Sequence, residues 1–305
     1  MSILDNKYLI VIVGPTGIGK TELSIKIASR LQTEIVSADS RQFYKDLKIG
    51  TAAPTAEQLA TIRHHCIGNK SAEDYYSIYM FEQDVLNILA KLYLDSDFAI
   101  MTGGSGLYID AVCKGVDDIP DIDDKIRNDI LQKYKEEGIE GLRFEIKRLD
   151  PEYYEEADLR NPKRLIRALE VCIMTGKPFS AFHKGIEVSR PFKILWIGLN
   201  RDRQELYDLI NLRVDTMIKN GLLEEVKSLS KYRNLNALNT VGYKELFPYF
   251  DGEYSIERAI ELIKRNSRRY AKRQLTWFNR NDEIRWFHPD NSEGILEYIM
   301  ALFKK

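Results

Sequence analysis

Three cysteines in 305 residues, Cys66, Cys113 and Cys172, are too few and too scattered for a disulfide framework, and no C-x-x-C pair is present to seed a zinc site. This usage fits a reducing cytoplasm. No apolar run approaches the ~20 residues a membrane span needs, and no basic-then-apolar leader precedes the first strand-like run. Neither secretion nor membrane insertion is expected. Charge of one sign is missing too: 45 Lys+Arg against 46 Asp+Glu leave a net charge of −1, so any nucleic-acid affinity has to come from local patches. Internal repeats and low-complexity segments are absent. What remains is a globular chain, 44% apolar, long enough for one large domain or two modest ones.

The most specific segment is Gly14-Pro15-Thr16-Gly17-Ile18-Gly19-Lys20-Thr21, which follows the apolar run Tyr8–Val13 and matches G-x-x-x-x-G-K-[ST] at every fixed position. Such a loop grips a di- or triphosphate. Its glycines let backbone N–H groups converge on phosphate oxygens, the next helix offers its positive end, Lys20 adds charge and Thr21 can hold Mg²⁺. The pattern leaves open which phosphate is bound and for what reaction.

Strand-like runs (Tyr8–Val13, Glu34–Ser37, Phe98–Thr102) alternate with helical patterns (Thr21–Leu31, Phe81–Leu94), the signature of an α/β fold with a parallel sheet flanked by helices. From Asp117-Asp118-Ile119-Pro120-Asp121 the texture turns to charged helix, and the apolar run Phe192–Leu199 resumes the sheet. The expected organisation is a phosphate-loop core, 1–118 and 192–305, with a helical insertion at 119–191. Beyond it lie helices with breaks at Asn220-Gly221, Gly242, Pro248 and Asp251-Gly252, then a long helix from near Ser255.

A hydrolytic phosphate-loop enzyme usually carries an aspartate at the end of a central strand for Mg²⁺ and water. Here that strand runs into Gly103-Gly104-Ser105-Gly106, and no Asn-Lys-x-Asp guanine-reading run is present. Nucleotide hydrolysis is therefore disfavoured. The glycine turn lets backbone approach a ligand at the carboxyl edge of the sheet, and it is equally a tight strand-to-helix turn. Asp39, at the end of the second strand run, is a candidate general base or a turn-capping aspartate.

In the last long helix Ile256, Ile260, Ile263, Tyr270 and Trp277 form an expected core stripe, and Arg265, Arg268, Arg269 and Lys272 recur at i, i+3, i+4 and i+7 on another face. Such a stripe can neutralise backbone phosphates or lie solvated beside acids. Lys163, Arg164 and Arg167 repeat it in the insertion. His64-His65-Cys66 is a poor metal site, because adjacent residues rarely converge on one ion.

Taken together, GPTGIGKTELS (14–24), SADSRQFYKDLKIGTAAP (37–54), GGSGLYIDA (103–111), NPKRLIRALEV (161–171), TGKPFSAFHKG (175–185), TVGYKE (240–245) and RRYAKRQLTWF (268–278) resemble the bacterial tRNA dimethylallyltransferases, also called tRNA isopentenyltransferases. The resemblance spans nearly the whole chain. It implies transfer of a dimethylallyl group from dimethylallyl diphosphate to N6 of the adenosine following the anticodon, in tRNAs reading codons that begin with U. The phosphate loop then holds a departing diphosphate, which accounts for the missing strand-end acid.

The resemblance further implies that the loop residues Gly14 to Thr21, with Mg²⁺ at Thr21, and Arg213 hold the diphosphate, and that Asp39 accepts the amine proton. It places tRNA contacts at Asp39, Ser40, Arg41 and Gln42; at Ser105 and Arg127; at Lys163, Arg164, Leu165, Ile166 and Arg167; at Asn239, Thr240, Val241, Gly242, Tyr243 and Lys244; and at Lys272, Arg273, Gln274, Leu275, Thr276, Trp277, Phe278 and Asn279. The insertion would clamp the anticodon stem-loop, and a monomer is the expected working form.

The chain departs from the family pattern where Ser105 replaces threonine, Lys163 replaces glutamine and Ala53 replaces lysine. His64-His65-Cys66-Ile67-Gly68 stands for the usual H-H-L-I-D and lacks its acid. The zinc-finger extension of eukaryotic members is not expected. Rival readings are an adenylate isopentenyltransferase acting on free nucleotide, a small-molecule kinase, and an RNA-binding module switched by a phosphate ligand.

Overall fold

A computed structural model describes residues 6–116, 123–182 and 188–303. The acidic break at 117–121 lies outside them. Two compact units form, one from Met1–Cys113 with Ser189–Lys305 and one from Lys114–Val188. The helical unit thus begins and ends a few residues before the 119–191 span expected from texture.

The first unit opens with β1 (Tyr8–Val13), α1 (Lys20–Leu31), β2 (Ile35–Ser37), α2 (Ala56–Thr61), β3 (His64–His65), α3 (Ile78–Asp95), β4 (Phe98–Gly103) and α4 (Gly106–Lys114). The second unit carries α5 (Asp124–Leu149), α6 (Pro151–Glu156) and α7 (Pro162–Thr175). The first then resumes with β5 (Lys193–Leu199), α8 (Arg203–Lys219), α9 (Leu222–Ser228), α10 (Leu246–Phe250), α11 (Ile256–Phe278), β6 (Arg285–Phe287) and α12 (Ser292–Phe303).

Among the described residues six strands form one parallel sheet in the order β3-β2-β4-β1-β5-β6. β1 lies between β4 and β5, with Tyr8 opposite both Phe98 and Lys193. Alternate residues of β1 feed the two faces: Leu9, Val11 and Val13 pack with Phe81, Val85 and Leu89, whereas Ile10 and Ile12 pack with Leu23, Ile27 and Ile210. With both faces covered, the strand has to be apolar throughout, as YLIVIV is. Because the chain leaves β1 for β2 across β4, the carboxyl ends of β1 and β4 open a crevice, the usual ligand position in such sheets.

β3 and β6 are two and three residues long, too short for any sequence period to reveal. Pro248 does not break the chain as expected but sits in the first turn of α10, where its missing N–H would have had no helical partner. The core face of α11 is also rotated from the expected stripe: Ala259, Ile263, Ala271, Gln274 and Phe278 are buried, while Ile256, Ile260, Tyr270 and Trp277 are only partly so. Small alanines permit close helix packing, and Tyr270 is left facing the crevice.

In the second unit Leu142, Ile146, Leu165 and Leu169 build a separate core. Buried Asp150 ends α5 and caps α6, accepting from Tyr153 N at 3.0 Å, and also receives Ser180 N at 2.7 Å.

Candidate active site

The phosphate loop is held from three sides. Gly14 packs so closely on β5 that a Cβ there would lie 2.6 Å from the Leu199 carbonyl oxygen, and left-handed Gly19 (φ 97°) turns the chain into α1. Gln274 of α11 supplies the third tie: its Oε1 accepts from Thr16 N at 2.8 Å and its Nε2 donates to Gly104 O at 2.9 Å. One amide thus couples the phosphate loop to the glycine turn after β4.

Lys20 Nζ donates to the loop's own carbonyls, Gly14 O at 2.9 Å and Pro15 O at 2.8 Å. Burial pushes its pKa down to about 7, the positive charge of Arg213 pushes the same way, and Asp39 opposes them. Burial also lowers the Arg213 pKa, against the pull of Asp39. Two buried cations facing one carboxylate beside a glycine-rich loop suit an anionic ligand.

Asp39 follows β2, and its Oδ1 accepts from Arg41 N at 3.0 Å. The turn-capping role is therefore real, and it aims the carboxylate into the crevice. Ser105 Oγ accepts from Ser40 N at 2.9 Å and donates to Ser40 Oγ at 3.2 Å, so the hydroxyl retained in place of threonine's ties the Asp39 turn to the glycine turn.

Asp39, Arg213 and Thr16 form a wall shared by two lobes of one cleft. The donor-side lobe is framed by Lys20, Thr21, Ala53, Pro54, Leu209 and Leu212, and its volume of about 470 Å³ suits a small ligand. The acceptor-side lobe is framed by Arg41, Met217, Asn239 to Gly242, Lys244, Tyr270 and Arg273. For a hard cation the donor-side lobe offers oxygen donors that include the Thr21 hydroxyl and the Asp39 and Glu22 carboxylates. Oxygen donors of this kind fit Mg²⁺, which keeps waters and takes phosphate oxygens among its ligands.

Several expected site residues act from behind the surface. Tyr243, Phe278 and Leu165 were expected among the tRNA contacts, but their side chains are buried at 0%, 3% and 0% exposure and so hold those segments from beneath. Gln274 is buried in its clamp. Gln42 accepts from Ser37 Oγ at 3.1 Å and donates to the Thr51 and Ala52 carbonyls at 3.3 Å, fixing the lobe wall at Ala52, whose φ of 44° is left-handed. Arg41 donates to Asn236 O at 2.7 Å and so braces the acceptor lobe. Trp277 donates to Asp110 Oδ2 at 2.9 Å. Glu170, buried in the second unit, gathers Arg127 at 2.8 Å and Arg167 at 3.4 Å, whereas Lys163 and Arg164 are exposed and Ile166 half-buried. Arg268 of the basic stripe is used on Asn211 at 2.6 Å and Arg265 is half-buried, which leaves Arg269, Lys272 and Arg273 exposed, with Thr276 and Asn279 beside them and Leu275 partly covered.

No group of three or more His, Cys, Asp or Glu residues that could hold a metal occurs among the described residues. His65 instead meets Glu34 at 2.5 Å, and His64 Nδ1 meets Ile62 O at 2.8 Å. Tyr270 is the crevice residue that periodicity misplaced. Burial, and next the charge of Asp39, raise its pKa to about 12, and a hydrogen bond with Ser105 partly offsets this. A neutral phenol therefore stands beside Asp39. Its signal in the sequence, a tyrosine between Arg269 and Lys272 in a basic stretch, is hidden by a spacing that also suits the core.

The family described as IPP transferase matches residues 42–281, a span that begins after the phosphate loop. A tRNA dimethylallyltransferase of Bacteroides thetaiotaomicron is 56% identical over 95% of this chain and 94% of its own length. A full-length tRNA isopentenylpyrophosphate transferase from Bacillus halodurans shares the fold with a TM-score of 0.71 at 34% identity, covering 97% of this chain and 96% of that one. A eukaryotic dimethylallyltransferase acting on tRNA gives a TM-score of 0.78 at 25% identity over 93% of this chain and 74% of its own. With this breadth of likeness, the chain belongs to the family of bacterial tRNA dimethylallyltransferases.

Proposed function

We propose that this chain transfers a dimethylallyl group from dimethylallyl diphosphate to N6 of the adenosine 3′-adjacent to the anticodon, in tRNAs reading codons that begin with U, releasing diphosphate. The observation that carries the reading is the wall of Asp39 and Arg213 between an anion-gripping lobe and the lobe bordered by Asn239 to Lys244. A donor and an acceptor can meet across that wall. The turn after β4 adds support, because it offers Gly103-Gly104-Ser105 where a hydrolytic site would carry an acid.

In the donor lobe the loop N–H groups, Lys20 and Arg213 receive the diphosphate. As the bond between the allylic carbon and the diphosphate oxygen breaks, negative charge grows on that oxygen, and these donors can stabilise it. The carbon–N6 bond forms from the acceptor side and the N6 proton passes to Asp39. Because an exocyclic amine is not basic, this transfer accompanies attack. Mg²⁺ held by Thr21 and the diphosphate oxygens would supply further neutralisation of the leaving group when bound.

The adenine has to leave its stack in the anticodon loop, at a cost of a few kcal/mol. Tyr270, Met217 and Val241 offer apolar surface in the acceptor lobe to offset this, and exposed Arg269, Lys272 and Arg273 can meet phosphates. In the second unit the exposed Lys163 and Arg164 are the groups proposed to meet the anticodon stem. The proposed working form is a cytoplasmic monomer; three buried cysteines that form no disulfide accord with a reducing compartment.

Incubating the protein with Mg²⁺, dimethylallyl diphosphate and either tRNA or AMP, followed by mass analysis of the nucleosides, tests the reading. Prenylated adenosine beside the anticodon is expected. Label confined to AMP would overturn the tRNA assignment, and phosphate transfer from ATP would favour a kinase.

A further inference from the structure

A second pocket lies outside the lobes described above, between Arg201, Arg203, Leu206 and Tyr207 on the α8 side and Lys272 and Leu275 on α11. Its floor is apolar, since Leu206 is buried and Leu275 half-buried. Its rim is cationic. From Leu262 to Phe278, α11 carries six Lys or Arg residues and no Asp or Glu. Lys264 is taken up by Asp215 at 2.6 Å and Arg268 by Asn211 at 2.6 Å.

Across the pocket, Arg203 stands 5.2 Å from the centre of the Tyr207 ring, and Arg268 lies 5.9 Å from the same ring. The ring thus seats two guanidinium groups on an amphipathic support. Nearby acids are already engaged: Asp290 and Glu205 face Arg201 at 3.3 Å and 3.9 Å, Asp202 caps α8, and Asp208 accepts from Gln204 at 3.0 Å. Among the described residues no carboxylate lies within 4.0 Å of Arg203, Arg269 or Lys272. Arg269 and Lys272 precede Arg273 on α11, and Arg273 lines the acceptor lobe, so exposed cations lead along this helix from the pocket to that lobe.

We propose that Arg203, seated on Tyr207, and Lys272 form a second RNA-backbone site that takes a phosphodiester of the substrate strand beside the acceptor lobe. The inference rests on the reading that tRNA is the acceptor. A backbone phosphate is the chemistry that matches unpaired, exposed cations without base-reading groups, and it adds affinity and register, not sequence choice.

The test is tRNA affinity measured across about 50–200 mM salt for native protein, Arg203→Ala, Arg203→Glu, Tyr207→Ala and Tyr207→Phe. Loss of one phosphate contact should flatten the log–log salt slope by about 0.7–0.9 in Arg203→Ala. Arg203→Glu should weaken binding at low salt on the order of tenfold or more. Tyr207→Ala should follow Arg203→Ala, and Tyr207→Phe should bind as native protein does. The KM for dimethylallyl diphosphate, which reports an intact fold and donor lobe, should stay native throughout. Native affinity and slope in both Arg203 variants would overturn the site. So would a loss equal at every salt concentration and accompanied by a changed donor KM, which marks a structural role. Failure of the tRNA reading itself is visible separately, as native protein that prenylates AMP and leaves tRNA unlabelled.

Discussion

The Tyr243 hydroxyl donates to Glu225 Oε1 at 2.6 Å, and the same carboxylate receives the backbone N–H groups of Lys48, Ile49 and Gly50 at 3.0, 2.8 and 3.0 Å. One acid on α9 therefore joins two stretches of the acceptor-lobe wall, Gly50-Thr51 and Asn239 to Lys244. Glu245 secures the second from the other side, accepting from Gly242 N at 2.8 Å. Tyr243→Phe removes one donor from a charged acceptor, with an expected loss of about 1.5–3 kcal/mol in urea unfolding. The KM for tRNA should rise while that for the donor stays native. An unchanged unfolding midpoint would show that the bond contributes nothing.

Asp39→Ala should lower the single-turnover rate by about 10²–10⁴-fold, the usual range for a general base, with tRNA affinity close to native. Rapid-quench measurement at saturating substrates reads the rate directly. Equal turnover in variant and native protein would remove Asp39 from the chemistry.

Lys20 links donor binding to pH. Its ammonium holds anions, and with a pKa of about 7 in the free protein it loses its proton as pH rises through neutrality. Affinity for inorganic diphosphate should therefore fall above pH about 7, and binding there should take up protons, seen as buffer-dependent heat in titration calorimetry. The folded pKa lies below the unfolded value near 10.4, so between the two the unfolded chain binds more protons and stability rises with pH. Lys20→Met should accordingly unfold at higher temperature than native protein near pH 7, abolish diphosphate binding and remove this pH dependence.

Tyr270 walls the acceptor lobe beside Asp39, and its pKa near 12 keeps the phenol neutral through the working range. Stacking of an extruded base on such a ring is worth about 1–3 kcal/mol. Tyr270→Ala should weaken tRNA binding correspondingly, and Tyr270→Phe should retain most of the affinity. Competition binding with an anticodon stem-loop carrying an abasic target position checks the assignment, because the difference between native protein and Tyr270→Ala should vanish there.

Which parts of this molecule are legible without coordinates follows the range of the forces involved. The phosphate loop is local: eight consecutive residues carry their own turn, donors and charge, so Gly14 to Thr21 can be read directly. Buried strands announce themselves by apolar runs, as Tyr8–Val13 and Lys193–Leu199 do. β3 and β6 do not, since two or three residues carry no period and exist as strands only because neighbours supply hydrogen bonds. On α11 the charge pattern was legible, but the rotation was not. Spacing places Tyr270 and Trp277 in a core stripe, whereas burial of the Ala259, Ile263 and Ala271 face leaves Tyr270 beside Asp39.

By itself the sequence determined that a parallel α/β core carries a phosphate-binding loop, that Asp39 ends a strand at the carboxyl edge, and that cations gather on one helix. These follow from periodicity, spacing and charge along a short stretch of chain. Tertiary structure decided which of those residues meet: that Gln274 couples the phosphate loop to Gly104, that Asp39 and Arg213 divide two lobes, and that Tyr243, Phe278 and Leu165 support surfaces from below. Such pairings join residues up to 258 positions apart. Their partners are chosen by burial and by the need to satisfy every enclosed donor and acceptor, conditions that exist only once the chain has closed on itself.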